Sequence, residues 1–269
     1  MTTLLLIGCG NMGYAMLKGW LGADPELKAH VVEPAEALRE RAAALGAAAV
    51  SGPDDLPSGL TPDLTILAVK PQSMGDVVPT YAHLAGGATT FVSIAAGTTI
   101  ATLAAMLPGL TPIIRCMPNT PAAIGAGMMV CCANDPTTQA ARDLTSSLLV
   151  ASGEVAWIED EGLMDAVTAL SGSGPAYIFH MIETMGQAGA EMGLPADLAA
   201  RMAMQTVMGA GQLAAQASDP PGTLREQVTS PGGTTAAALD VLMGDGRMQK
   251  LMTDAIRAAR DRGVELGKG

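Results

Sequence analysis

"LLLIGCGNMGYAMLKGWL", residues 4–21, decides the fold. An apolar run leads into Gly8, Gly10 and Gly13, spaced G-x-G-x-x-G, and an amphipathic stretch follows. That spacing is common when it stands alone. Here it follows a predicted strand (3–7) and opens a predicted helix (11–21), which is the context of a dinucleotide-binding turn. Gly8 permits the tight turn, Gly10 lets the backbone approach a pyrophosphate, and Gly13 lets the helix pack on the strand. Asn11 and Met12 lie at the helix start, where N–H groups and the helix dipole favour an anion. A plain glycine turn is the competing reading, and the position at the head of an alternating α/β half weighs against it.

Working outward, "AHVVE" (29–33) reads as a second strand and residues 35–45 as a second helix. Glu33 ends that strand, 20 residues after Gly13. An acidic group there accepts hydrogen bonds from the adenosine ribose and repels a 2′-phosphate, so it leans towards NADH. Arg39 or Arg41 could swing to a 2′-phosphate, so NADPH stays open. "LTILAV" (64–69) is a third buried run, and it sets Ala68, Val69, Lys70 and Pro71 at its carboxyl end. Ligands of open parallel sheets sit beyond those ends. "TTFVSIAA" (89–96) and "TPIIRCM" (111–117) bring Ala96 and Asn119 to the same layer. Lys70 also reads as a solvated strand-end lysine, and Asn119 as a turn or cap residue.

Helical stretches are predicted near 73–85, 99–107 and 136–151, with further strands at 127–133 and 153–158. Strands alternating with helices imply a mostly parallel sheet covered on both faces. From about Asp160 no further strand is predicted. Helices are expected near 160–170, 175–192, 195–217, 222–228, 234–243 and 245–267, with Pro175, Pro195 and Pro221 at starts. The expected fold is therefore an α/β Rossmann-type domain over 1–159 followed by an all-α domain over 160–269. The helical half is rich in Ala, Gly and Met, which lets helices approach closely. It reads as a dimerisation surface, with a self-contained bundle as the alternative.

The 269 residues carry a net charge of −11, and the basic residues are scattered, which argues against a nucleic-acid or anionic-membrane partner. Cys9, Cys116, Cys131 and Cys132 make no C-x-x-C pair, and His30, His83 and His180 lie far apart, so no metal site is expected. Cys131 and Cys132 fit a buried strand. The opening "MTTLLLIGCG" lacks a basic segment and a long apolar run, so no signal peptide is expected. No apolar run approaches the about 18 residues of a membrane span. A reduced, cytoplasmic protein is the expectation.

Several segments occur in a telling order: "IGCGNMG", "AVKPQ", "SIAAGTTI", "RCMPNTPAAIGAG", "DAVTALSGSGPAYIF" and "VTSPGGTTAAAL". Over essentially its whole length the chain resembles the pyrroline-5-carboxylate reductases. The last two segments are the specific ones; the glycine loop is shared with many dehydrogenases. The resemblance implies NAD(P)H-dependent reduction of the C=N bond of Δ1-pyrroline-5-carboxylate to L-proline. It also implies a helical domain that dimerises, with dimers able to assemble further. It places the substrate carboxylate and ring nitrogen on Ser230, Pro231, Gly232, Gly233, Thr234 and Thr235. It puts Glu161 near the substrate and Gln227, where relatives carry Asn, near the cofactor. Relatives with a short polar residue after the second strand differ from this chain at Glu33.

Read from the residues alone, Thr234 starts a helix and Gly232–Gly233 can turn N–H groups inward. That loop is either a nest for a carboxylate or simply a capped helix after a turn. The chemistry suits a site of Ser, Thr and Gly. A protonated imine accepts hydride to give a neutral amine, so no acid is needed for a developing alkoxide. A hydroxyl such as that of Thr235 then has only to orient the nitrogen, which makes Thr235 the candidate catalytic residue. "LSGSGP" (170–175) reads as a tight, mainly structural helix junction. Among rivals, β-hydroxyacid dehydrogenases need a lysine on the interdomain helix, and no lysine occurs between Lys70 and Lys250. A deazaflavin–NADP reductase is not expected to carry the Ser-Pro-Gly-Gly-Thr-Thr loop. A non-catalytic dinucleotide-binding regulator would be expected to have lost one of the two loops, and both are intact.

Overall fold

A computed structural model describes residues 1–267. Eight strands form one sheet: β1 Thr3–Ile7, β2 Lys28–Val32, β3 Ala48–Val50, β4 Leu64–Leu67, β5 Thr90–Ser93, β6 Ile113–Met117, β7 Gly127–Ala133 and β8 Gly153–Trp157. Their order is β3-β2-β1-β4-β5-β6-β7-β8. Every neighbouring pair is parallel except β6 and β7, so the last two strands run against the other six. Chain progression reverses between β1 and β4, and this switch point opens the crevice where such sheets take ligands.

The continuous apolar strands are explained by burial on both faces. Leu4 and Leu6 of β1 face one core, with Val31, Ile66, Val92 and Cys116. That core packs on α1 (Asn11–Ala23) through Met16, Leu17 and Trp20. Leu5 and Ile7 face the other, with Val32, Leu67 and Phe91. Its cover comes from Met74 of α3 (Met74–Val77), Val78 and Tyr81, and from Leu103 of α4 (Ile100–Met106). The helix α2 (Glu36–Ala43) buries Ala42 in the first core, and α5 (Gln139–Leu149) adds Leu148 and Leu149. Thr99 and Thr138 cap α4 and α5 by accepting from Thr102 N and Ala141 N.

The structure departs from expectation in a few places. A short strand, β3, follows α2; its sequence, Ala-Ala-Val, carries little strand signal. The expected helix at 73–85 is α-helical only over Met74–Val77 and continues as a 3₁₀ turn over Val78–Leu84, because Pro79 has no N–H to donate. The stretch near 160–170 divides into a 3₁₀ turn at Glu161–Leu163, α6 (Met164–Val167) and a π-helical turn at Thr168–Gly172.

Two compact units result: residues 1–173 with 259–267, and residues 174–258. The second holds α7 (Gly174–Glu191), α8 (Ala196–Gln216), α9 (Pro221–Gln227), α10 (Thr234–Met243) and the beginning of α11 (Arg247–Leu266). Small residues bring α7 and α8 together: a Cβ on Gly186 would lie 3.4 Å from Ala200 Cα, and one on Gly189 3.2 Å from Ala199 Cβ. Among the described residues of this unit, only Ala199 and Ala203 are buried apolar side chains. None of the described helices is long and apolar enough to cross a membrane.

Candidate functional site

The glycine loop is built as its spacing requires, each glycine for a different reason. Gly8 has φ +87°, and a Cβ there would lie 2.9 Å from both Ala68 O and Val69 Cγ1. Gly13 is excluded from carrying a side chain by packing alone, since its Cβ would meet Gly8 O at 2.8 Å and Ala68 Cβ at 3.3 Å. Gly10, the N-cap of α1, has an ordinary φ of −64°, and a Cβ there would meet nothing within 4 Å. Neither backbone nor packing demands glycine at position 10. That leaves space for close approach by a ligand to an α1 N-terminus that no side chain caps. The residues present therefore fit a dinucleotide pyrophosphate.

Glu33 is buried beside this loop. Its carboxylate accepts from Cys9 N at 2.7 Å and from Ala35 N at 2.9 Å. Burial, and then the Glu33 charge, push the Cys9 thiol up to about 11, against an opposing pull from Arg41. Both candidate phosphate-binding arginines have protein partners. Arg39 donates to the carbonyls of Glu33 and Pro34, each at 3.0 Å. Arg41 lies over the Tyr14 ring, 4.0 Å from its centroid. Ala68 and Val69 pack under the glycines; Lys70 is exposed, and Pro71 begins a 3₁₀ turn.

Ala96 is exposed in the loop after β5, and Asn119 follows β6. The Asn119 amide has partners at both ends: Oδ1 accepts from Met128 N at 2.9 Å, and Nδ2 donates to Ser171 O at 3.2 Å and Ser171 Oγ at 3.3 Å. Ser171 sits in the π-helical turn, next to Gly172, where a Cβ would collide with Met117 Cε at 2.7 Å. Glu161 also has protein partners. Its Oε1 accepts from Ile100 N at 2.8 Å and from Arg115 Nη1 at 2.9 Å. Arg115 is buried in β6, and sequence reading passed over it. A signal existed: a single arginine inside an apolar strand must find a counter-charge.

In the second unit, the segment between α9 and α10 makes the expected glycine turn. Gly233 N donates to Ser230 O at 3.0 Å, Gly232 has φ +69°, and Gly233 is the N-cap of α10. A side chain on Gly233 would collide with Ser230 Oγ. No side chain caps α10, and Thr234 and Thr235 form its first turn. Thr229 Oγ1 anchors the loop entry on Arg225 O at 2.6 Å. Gln227 donates to Asp219 Oδ2 at 2.9 Å.

Two family models match separate parts of the chain. A family model described as pyrroline-5-carboxylate reductase dimerisation matches residues 161–266. One described as NADP oxidoreductase, coenzyme F420-dependent, matches residues 3–97, the nucleotide-binding part alone. The chain is 38% identical to the pyrroline-5-carboxylate reductase of Pseudomonas aeruginosa over 98% of its own length and 97% of that protein's. It is 36% identical to that of Pisum sativum, covering 96% and 94%. A Coxiella burnetii pyrroline-5-carboxylate reductase structure superposes with a TM-score of 0.93 at 31% identity, over 100% of this chain and 99% of that one. A Plasmodium falciparum pyrroline carboxylate reductase with NADP bound gives 0.83 at 27% identity, over 99% and 98%.

Proposed function

Because this chain belongs to the pyrroline-5-carboxylate reductase family and reduces Δ1-pyrroline-5-carboxylate to L-proline with NAD(P)H, we propose how its residues share that work. Residues 1–159 hold the dinucleotide. Gly8, Gly10, Asn11, Met12 and Gly13 receive the pyrophosphate at the start of α1, with Ala68, Val69, Lys70 and Pro71 beside it. Glu33 accepts from the adenosine ribose and disfavours a 2′-phosphate, so NADH is the preferred coenzyme. The open space at Gly10, at the uncapped start of α1, carries this reading, because it leaves the helix N-terminus open to a pyrophosphate. Ala96 lies towards the nicotinamide end, and Gln227 is assigned to the cofactor by the family resemblance.

Residues 160–269 hold the substrate. The turn at Ser230–Gly233 and the first N–H groups of α10 receive the carboxylate, favoured by the helix dipole. The Thr235 hydroxyl accepts from the N–H of the protonated imine and fixes the plane of the ring. When bound, the reduced nicotinamide supplies a hydride to the carbon of the C=N bond. The product nitrogen is then a neutral secondary amine, so no side chain has to deliver a proton in that step. The loop residues contribute orientation and charge compensation, which is where catalysis of this type lies. The same helical half joins two copies into a homodimer that can assemble further. We place the enzyme in the cytoplasm.

The deciding experiment is oxidation of NADH and NADPH, followed by absorbance, with pyrroline-5-carboxylate added. Rapid oxidation with formation of proline is expected, faster with NADH. A folded protein that binds dinucleotide but oxidises neither coenzyme would refute the reading.

A further inference from the structure

The segment 161–173 is fastened to the sheet at both ends, by the two residues expected to touch substrate and cofactor. At its start, Glu161 Oε1 accepts from Ile100 N and from Arg115. Ile100 begins α4, directly after the loop that leaves the carboxyl end of β5. Arg115 is held inside β6 and is 5% exposed. At the other end, Asn119 donates to the carbonyl and hydroxyl of Ser171 and takes Met128 N on its oxygen. Between these fastenings the chain makes a π-helical turn, with Ser173 N donating to Thr168 O at 2.8 Å. A π turn is an uncommon geometry that carries a local cost and persists where neighbours hold it. Gly172 pressed on Met117 supplies the packing, and Asn119 supplies the polar hold.

The geometry points to Glu161 and Asn119 as positioning residues rather than ligands. Together they clamp the 161–173 segment to the carboxyl ends of β5 and β6. The same clamp holds Ile100, where the loop from Ile94 to Thr99 enters α4. Carboxyl ends of strands are where an open parallel sheet presents a cofactor. The clamp therefore sets the nicotinamide end of the site through the backbone it holds. This rests on the reductase reading of the site, and it assigns a task that neither residue's contacts with a ligand would perform. A misplaced hydride donor slows transfer while leaving pyrophosphate and carboxylate contacts intact.

The test uses the intact enzyme, the four single variants Glu161→Gln, Glu161→Ala, Asn119→Ala and Ser171→Ala, and the double variant Asn119→Ala with Ser171→Ala. Four quantities are measured: the Kd of NADH by fluorescence, the KM for the imine acid, kcat, and the isotope effect on kcat with NADH deuterated at C4. Asn119→Ala and Glu161→Ala are expected to lower kcat about 10- to 100-fold. The isotope effect should rise, because transfer becomes slower than release, and Kd and KM should stay within about threefold. Glu161→Gln keeps an oxygen for Ile100 N and should recover part of the loss. Ser171→Ala removes one of two acceptors, and combined with Asn119→Ala it should add little further. A tenfold weaker Kd with unchanged kcat would make Asn119 a cofactor ligand, and a raised KM alone would make Glu161 a substrate ligand. Either result, or no change at all, overturns the proposal. If Glu161→Ala or Asn119→Ala fails to fold, Glu161→Gln and Ser171→Ala carry the same comparison. An inactive wild type would instead indict the reductase reading.

Discussion

Glu33 is buried with both carboxylate oxygens bonded to backbone N–H groups, one of them in the glycine loop. A carboxylate offers about four lone-pair sites, so ribose hydroxyls can still be accepted there. Its charge faces no free arginine, since Arg39 is held by two carbonyls and Arg41 by the Tyr14 ring. Glu33→Ser should therefore raise the NADPH-to-NADH ratio of kcat/KM by about tenfold, or about 1.4 kcal/mol. An unchanged ratio would remove Glu33 from coenzyme choice. Stability should fall with it, because the buried Cys9 N–H loses its acceptor, at about 1–3 kcal/mol. Thr235 makes the opposite kind of case, as it stands in the first turn of a helix that no side chain caps. Thr235→Ala should cut kcat/KM for the imine acid on the order of 100-fold while the Kd of NADH, read by fluorescence, is unmoved. Full activity would take the hydroxyl out of the mechanism. Both residues were legible from sequence through their place in a motif. Arg115 and Ser171 were not, because their partners lie 46 and 52 residues away in sequence.

At the scale of the element, the turn from β1 to α1 separates glycines confined by packing from one, Gly10, with open space beside it. A methyl on Gly13 would press on Gly8 O and Ala68. Gly13→Ala should therefore cost about 1–3 kcal/mol of stability, visible as a lower Tm. A methyl on Gly10 meets open space. Gly10→Ala should leave Tm within a degree or so and weaken NADH about tenfold or more, as measured by titration. Equal effects on Tm would mean that Gly10 is a packing glycine after all. Strand β1 was readable because it is apolar on both faces, as Leu4 and Leu5 show by entering different cores, whereas the short β3 was not. The irregular pieces were not. The break at Pro79 and the π turn at Thr168–Gly172 depend on one missing donor and on tertiary packing against Met117, which no periodicity records.

Over the whole molecule the two units differ in how they are held. The first has two cores sandwiching the sheet. The second buries only Ala199 and Ala203 among its described apolar side chains, while Phe179, Met204 and Leu213 are each more than half exposed. Monomers rarely leave so much apolar surface in water. The match to a dimerisation family over residues 161–266 identifies homo-oligomerisation as the remedy. Leu213→Glu combined with Met204→Glu should shift the light-scattering mass from dimer towards monomer and lower Tm. A dimer of unchanged mass would place the interface on another face.

The sequence by itself determined the alternation of strands and helices, the nucleotide loop and the place where strands stop. It did so because these depend on local spacing: period two, period 3.6 and glycine at fixed offsets. Only the tertiary structure decided which protein groups stand across from the candidate polar residues. Glu161 and Asn119 carry the right chemistry for either task. They are assigned by what stands across from them, an arginine in β6 and a serine in a π turn. A hydrogen bond between distant segments is fixed when the sheet closes, and no pattern along the chain encodes it.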